Sequence, residues 1–410
     1  MPAQQVLETL ALVLAAGLAC QLAADALRLP RMVLLLGAGV VLGPRVLGAV
    51  ELPLGSTAVQ LLLTLGVGFI LFHGGLGLSL RVLRPVALGL GLLAVPGVVL
   101  TALVTGAVAT AAFGIPLQAG LLVGAVLAPT DPAILIPLFD RLQVRAKVRQ
   151  TIVAESALND PVGAVLALSL AAFVGGAAGS LRGALGEFLL DLGISSVLGI
   201  AFGLALAVAI STGRAGIWSD SPVIAVLLIV AAAFFSIDSA GGSGYLGAFV
   251  AGVIVANMDL FALGIHPRRE VEVRAFAATA SDVVVIFVFV ALGAGLPLDA
   301  VRADAVPGLI TVAALIFAAR PLTVLGCLLP DRRARWSRDE VAFLAWTRET
   351  GVVPAAVAGL LVAEHVPDAT VIESVVGLAI VVTLLLQATT KSWLAQRLAL
   401  AEGGGVSSPP

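Results

Sequence analysis

A short apolar segment of the chain carries several polar side chains close together. Residues 154–161 read AESALNDP, which places four such side chains within a few positions: Glu155, Ser156, Asn159 and Asp160. Residues four apart are neighbours on a helix surface, so Ser156 should lie beside Asp160. A carboxylate inside hydrocarbon is costly, and where one occurs it marks an ion, proton or substrate pathway. We therefore predict a functional site in this segment.

A second segment predicts a broken helix beside another carboxylate. Residues 128–132 read APTDP, in which two prolines flank Thr130 and Asp131. Each proline removes a backbone donor and clashes with the preceding turn, so the helix should break and leave carbonyl groups free. Together with Ser156 and Asp160, these residues predict an oxygen-lined site for a small hard cation such as Na+. The hydroxyls of Thr130 and Ser156 are equally compatible with back-bonding to helix carbonyls.

Other charged residues within apolar segments require partners. Glu155 needs a cation, and Arg320 is the candidate, in a structural ion pair. Residues 347–354 read TRETGVVP, so Arg348 and Glu349 lie in a further interruption by glycine and proline. These two residues are adjacent and should point in different directions. A structural or gating role is favoured for both.

The chain around these residues is strongly apolar. Of 410 residues, 60% are hydrophobic and 12% are charged, and the mean hydropathy is +1.11. A soluble domain cannot bury so much apolar surface. The net charge of −2 gives no indication of a nucleic-acid partner. Apolar segments long enough to cross a bilayer predict about thirteen spans. They cover roughly 5–24, 33–50, 57–78, 85–112, 117–139, 148–176, 187–211, 222–237, 245–262, 276–296, 305–328, 339–363 and 371–396.

The basic residues between the spans indicate an orientation. With alternate loops on opposite sides, 18 Lys and Arg residues, Lys391 among them, fall on one side and 3 on the other. Because cytoplasmic loops are enriched in Lys and Arg, we predict an external N-terminus and a cytoplasmic C-terminus in the plasma membrane.

The interruptions in spans five and twelve indicate an internal repeat. Paired broken helices are typical of transporters with two inverted halves and a site near the bilayer midplane. We predict an all-α polytopic protein whose residues 1–400 form one transmembrane domain. Residues 401–410 are rich in Gly, Ser and Pro and are expected to be a disordered cytoplasmic tail.

Three motifs resemble those of the monovalent cation:proton antiporter family, in its NhaP-like Na+/H+ antiporter branch. They are Thr130-Asp131-Pro132, Glu155-Ser156-x-x-Asn159-Asp160 and Ala319-Arg320-Pro321. The resemblance extends over residues 5–396. It implies the NhaA/NhaP-like antiporter fold, with an inverted repeat and two discontinuous helices. It also implies a homodimer, in which a dimerisation bundle supports a six-helix core, with spans at about 85–176 and 305–396, that moves as an elevator.

The resemblance also implies a role for each site residue. Asp160 is the main carboxylate for the ion and the proton, while Asp131, Thr130 and Ser156 help to bind the cation. Asn159, Glu155 and Arg320 stabilise the site. The Asn-Asp pair is the mark of electroneutral exchange in this branch.

The sequence departs from the family pattern at three positions. Many relatives have an acidic residue in place of His73, a glycine in place of Glu349 and a glycine in place of Pro161. His73, expected within the membrane, is a possible pH-sensitive group. A neutral, hydrogen-bonded histidine is the alternative. These departures leave the cation preference and the pH response open.

The expected function is therefore exchange of Na+ or Li+ for H+, with no cofactor, in contact with membrane lipid. A K+/H+ exchanger on the same scaffold is the alternative. An intramembrane enzyme is disfavoured because neither Gly-x-Gly-Asp nor aspartate-rich loops occur. A passive channel does not require a proton-titrating carboxylate beside a broken helix.

Overall fold

The computed structural model describes residues 3–27, 29–52, 56–131, 144–176, 180–213, 216–398 and 400. Regular secondary structure in these ranges is helical. The predicted tail at 401–410 and the second half of predicted span five lie outside the described residues.

The helices of the first half follow the predicted spans. They are α1 (Ala3–Leu27), α2 (Arg31–Leu42), α3 (Thr57–Leu76), α4 (Leu80–Leu83), α5 (Ala87–Ala94), α6 (Pro96–Phe113), α7 (Leu117–Leu127), α8 (Ala146–Val174) and α9 (Leu181–Ile210). A 3-10 turn, Arg84–Val86, joins α4 to α5.

The second half of the chain is also helical and follows the predicted spans. Its helices are α10 (Pro222–Ser239), α11 (Gly244–Ala256), α12 (Pro267–Gly295), α13 (Leu298–Ala303), α14 (Ala305–Ala314), α15 (Arg320–Leu328), α16 (Arg338–Trp346), α17 (Val352–Ala363) and α18 (Ala369–Arg397). A 3-10 turn, Met258–Phe261, follows α11, and a π turn, Leu315–Ala319, joins α14 to α15.

The predicted number of spans is confirmed. In the described part of the chain, nine helical segments are long and apolar enough to cross a membrane, and four shorter apolar helices accompany them. These segments correspond one to one to the thirteen predicted spans. The shorter ones include α7 and α17, which lie next to the two predicted interruptions.

The predicted end of span two was wrong. The sequence predicts a helix to residue 50, but α2 ends at Leu42. Gly43 adopts an extended conformation, with ψ of 172°, and Pro44 follows it. A residue before proline is disfavoured in the helical region, which accounts for the early end. Arg45 then donates a hydrogen bond to the carbonyl of Gly295 at 3.0 Å.

The most extensive helix contacts fall into two groups, which also contact each other between α8 and α9 and between α3 and α17. In one group, α3 packs on α11 and α12, α2 packs on α12, and α9 packs on α11. In the other, α6 packs on α7 and α14, α7 packs on α8, and α18 packs on α14 and α17. The division into a dimerisation bundle and a moving core stays a prediction.

Small residues allow a close approach within the second group. A Cβ atom at Gly124 of α7 would lie 2.2 Å from the carbonyl oxygen of Ala102 on α6. One at Gly106 of α6 would lie 2.7 Å from the carbonyl oxygen of Gly120. Glycine therefore brings the backbones of α6 and α7 together, as is common in membrane bundles. This contact fixes α7, whose C-terminal end leads into the site.

Candidate ion-binding site

The first predicted interruption is present and is bound to α8. Helix α7 ends at Leu127, and residues 128–131 are not helical. The backbone amide of Thr130 donates to Oδ1 of Asn159 at 3.1 Å, and Nδ2 of Asn159 donates to Oγ1 of Thr130 at 2.9 Å. Oγ1 of Thr130 also shares a hydrogen bond with Oγ of Ser156 at 2.8 Å. Within the described residues, the two hydroxyls bond to each other and to Asn159 rather than to a helix carbonyl.

The second predicted interruption crosses the first. Helix α16 ends at Trp346, residues 347–351 are not helical, and α17 begins at Val352. The amide of Asp131 donates to the carbonyl of Glu349 at 3.1 Å, and the amide of Val352 donates to Oδ2 of Asp131 at 3.4 Å. A carboxylate at a helix N-terminus is favoured by the helix dipole. The Asp131 carboxylate is thereby held at the start of α17.

Arg348, in the segment between α16 and α17, binds the C-terminal end of α7. Its guanidinium donates to the carbonyl of Pro129 at 2.6 Å and to the carbonyl of Leu127. The side chain is buried, and the last carbonyls of α7 have no intrahelical partner of their own. The partners of Arg348 are therefore backbone oxygens, and Arg348 and Glu349 point to different groups, as their adjacency in sequence predicts.

The expected ion pair between Glu155 and Arg320 is present and buried. Nη2 of Arg320 donates to Oε2 of Glu155 at 3.0 Å, and Nη1 donates to Oε1. Nε of Arg320 donates to the carbonyl of Leu344 at 3.0 Å. The π turn immediately before Arg320 is a rare element that often marks functional sites. Both carboxylate oxygens of Glu155 therefore already accept hydrogen bonds from Arg320.

Asp160 differs from the other carboxylates of the site. It is only half-buried, whereas Glu155, Asp131 and Glu349 are buried. It interacts electrostatically with Asp131 and Arg348. Among the residues that the structure describes, no group donates a hydrogen bond or forms an ion pair to its side chain. Pro161 follows it without ending α8, and the missing proline N–H leaves the carbonyl of residue 157 without its helical donor.

One buried charged pair was not predicted from the sequence. The prediction counts Lys391 among the basic residues on the cytoplasmic side and gives it no partner. Its side chain lies on α18, fully buried, in an ion pair with Glu349. The available signal was its position inside predicted span thirteen, where a buried lysine requires a carboxylate.

His73 lies outside the hydrogen-bonded network of the candidate site. It occupies the last turn of α3, near one end of the helix, and its electrostatic neighbours are Asp282 and Arg274 on α12. Its Nδ1 atom is buried and has no hydrogen-bond partner among the described residues. The structure therefore does not bring His73 into the hydrogen-bonded network around Thr130 and Asp131.

The donor set at the crossing is made of oxygen. Over the described ranges, no group of three or more His, Cys, Asp and Glu side chains could hold a metal ion. The hydroxyls of Thr130 and Ser156 and the carboxylates of Asp131 and Asp160 instead surround the break in α7. Oxygen ligands of this kind suit hard cations better than transition metals. These four residues remain the predicted site for a monovalent cation.

The fold and this site define a multi-pass membrane protein with two crossed, interrupted helices and a charged centre. The chain belongs to the family described as sodium/hydrogen exchanger, transmembrane, whose model matches residues 10–397.

Relatives and solved structures support this membership. The chain is 29% identical over 385 residues to the "K(+)/H(+) antiporter NhaP2" of a Shewanella species, covering 92% of this chain and 64% of that protein. It is 28% identical over 350 residues to the "Na(+)/H(+) antiporter 1" of Methanocaldococcus jannaschii, covering 82% and 78%. A structure of the sodium proton antiporter MjNhaP1 from the same organism at pH 8 superposes with a TM-score of 0.82 at 25% identity, covering 98% of this chain and 100% of that one.

Proposed function

We propose that this protein exchanges a monovalent cation for a proton, and that the two ions compete for the carboxylate of Asp160. The observation that carries the proposal is the difference between Asp160 and its neighbours. Glu155 is paired with Arg320, and Glu349 is paired with Lys391. Asp160 is partly accessible, and within the described structure it has no hydrogen-bond or ion-pair partner.

The competition follows from the charge of the site. A deprotonated Asp160 attracts a cation, and the oxygens of Asp131, Thr130 and Ser156 can complete its coordination. A protonated Asp160 is neutral and no longer attracts the cation. Because an unneutralised charge is costly in the membrane interior, only the cation-loaded and proton-loaded forms should cross. Exchange is then obligatory, and an elevator movement of the site-bearing helices is the mechanism that we propose for it.

Asn159 supports an electroneutral stoichiometry. Its side chain is a neutral amide that both donates to and accepts from Thr130. It therefore stabilises the break in α7 without adding a second titratable group beside Asp160. One carboxylate that takes either one proton or one cation moves no net charge per cycle.

The transported cation is Na+ or Li+ in our first proposal and K+ in the second. The named relatives include both an Na(+)/H(+) antiporter and K(+)/H(+) antiporters. The chain spans 64% of the length of the Shewanella relatives, which are K(+)/H(+) antiporters. We further propose a homodimer in the plasma membrane with its N-terminus outside and its C-terminus in the cytoplasm.

The test is cation-driven proton movement in proteoliposomes that contain the purified protein and a pH-sensitive dye. NaCl, LiCl and KCl are added in turn to wild type, Asp160→Asn and Asp282→Asn. Asp282 is the matched control, because it lies on α12 with 71% of its side chain exposed. We expect a response that is lost in Asp160→Asn and kept in Asp282→Asn. Full exchange by Asp160→Asn would contradict the mechanism, and a response to K+ alone would select the second cation.

A further inference from the structure

The charged side chains around the two interruptions do not balance. The described residues there provide four carboxylates, Asp131, Glu155, Asp160 and Glu349, and three cations, Arg320, Arg348 and Lys391. With all groups in their ordinary ionised forms, the empty site carries one net negative charge. One proton or one monovalent cation neutralises it. The balance depends on Lys391, because without it Glu349 would add a second negative charge.

Glu349 lies next to the proposed ion site through its backbone. Its carbonyl accepts the hydrogen bond from the amide of Asp131 at 3.1 Å. Its side chain is 1% exposed and extends to Lys391 on α18. The carboxylate of Glu349 is therefore a fixed charge close to Asp131, and its electrostatic effect on the site is weakened only slightly by solvent because the region is buried.

Lys391 is held in place by the packing of α18. Its side chain is 0% exposed. On either side of the ion pair, Nε1 of Trp346 donates to Oγ1 of Thr390 at 2.9 Å, and the amide of Thr350 donates to Oγ1 of Thr383 at 3.1 Å. Three contacts thus attach the end of α16 and the interrupted segment to α18. They hold the ammonium group of Lys391 next to the carboxylate of Glu349.

We infer that Lys391 is a built-in counter-cation that cancels Glu349 and thereby sets the charge of the empty ion site at minus one. This inference rests on the proposed exchange function and deepens it. Lys391 and Glu349 are positioning residues, since neither contacts the transported ion. Because the two opposite charges form one buried ion pair, together they add nothing to the net charge of the site.

The two single variants should therefore have opposite effects. Lys391→Met leaves an extra buried negative charge, which favours both the proton and the cation and allows two protons to be exchanged for one cation, so that one net positive charge moves per cycle. We expect electrogenic transport and a pH optimum that moves upward. Glu349→Gln leaves an extra positive charge, which opposes cation binding. We expect its apparent KM for the cation to rise by roughly tenfold or more, because a like charge disfavours the charged form of its neighbour.

The double variant Glu349→Gln/Lys391→Met separates charge balance from simple structural support. It removes both charges and keeps the net charge at minus one. If the pair sets the charge, the double variant regains electroneutral exchange and a cation KM near that of wild type. If the pair is only a structural contact between the interrupted segment and α18, the double variant is at least as impaired as either single variant. Lys391→Arg keeps the charge and serves as the conservative control.

The experiment combines the dye assay with current recording on proteoliposomes adsorbed to a solid-supported membrane. Transient currents in Lys391→Met that are absent from wild type and the double variant support the inference. Electroneutral transport by Lys391→Met with an unchanged pH profile overturns it. If a single variant does not fold, the cation KM and the transient current of the folded double variant are compared with those of wild type. If the wild-type protein shows no cation-driven proton transport, the proposed function itself is contradicted. If wild type is active but the double variant loses as much activity as the two single variants combined, only this inference is overturned.

Discussion

The amide of Asp131 donates to the carbonyl of Glu349 at 3.1 Å, and this bond joins the two interrupted helices at their crossing. Asp131 belongs to the segment that follows α7, and Glu349 belongs to the segment between α16 and α17. The Asp131 carboxylate also accepts from the amide of Val352. One residue therefore connects both breaks, so a displacement of either segment is transmitted to the carboxylates of the site.

Gly351→Ala should disturb this crossing directly. A Cβ atom at Gly351 would lie 2.0 Å from Oδ2 and 2.2 Å from Cβ of Asp131, so one of the two segments must move. Overpacking of this kind costs about 1–3 kcal/mol. We expect a lower melting temperature in detergent and a strongly reduced exchange rate.

The control for this variant is Gly91→Ala in α5, where no described atom outside the backbone of that helix lies within 4 Å of the added methyl group. It should melt and transport like wild type. Normal exchange by Gly351→Ala would show that the close approach of Asp131 to the start of α17 is not needed for transport.

Arg320→Ala should reduce the yield of folded protein more than it changes cation affinity. Removing one partner of a buried ion pair leaves a buried charge, at a cost of about 3–5 kcal/mol. The measurement is the monodisperse yield and melting temperature, followed by the cation KM of the folded fraction. Arg81→Ala provides the comparison, because Arg81 forms an exposed pair with Asp259 at 2.9 Å.

Exposed pairs contribute about 0–1 kcal/mol, so Arg81→Ala should have little effect. A normal melting temperature with a lost cation affinity in Arg320→Ala would instead assign Arg320 or Glu155 a direct part in ion binding.

Asn159→Ala should weaken cation binding as well as stability. It removes the acceptor of the Thr130 amide and the donor to the Thr130 hydroxyl, and unsatisfied buried groups cost about 1–3 kcal/mol each. Thr130 then loses both of its hydrogen bonds to Asn159 and is held less firmly beside α8, so we expect a raised KM for the cation in the dye assay.

Asn257→Ala is the matched control. Oδ1 of Asn257 accepts from the amide of Leu80 at 2.8 Å, and its Nδ2 donates to the carbonyl of Leu78 at 2.8 Å, away from the crossing. Its loss should lower stability to a similar extent and leave the KM unchanged. An equal KM in both variants would show that Asn159 has only a structural role.

Local sequence features predicted much of this architecture because each depends on one segment alone. Hydropathy locates the spans, since every span must be apolar over the thickness of a bilayer. Proline and glycine predict the breaks near Asp131 and Glu349, since they act on the backbone that carries them. The error at the end of α2 concerns a helix end, which hydropathy locates poorly.

The sequence by itself determined that this is a polytopic membrane protein with two interrupted helices and costly carboxylates at the interruptions. The tertiary structure decided which charges neutralise each other. Lys391 and Glu349 are 42 positions apart, and only the packing of α18 against the interrupted segment brings them together. A partner across the fold leaves no periodic signal in either helix, because a buried ion pair is specified by geometry in three dimensions. The same packing leaves Asp160, alone among the four carboxylates, half-buried beside the break.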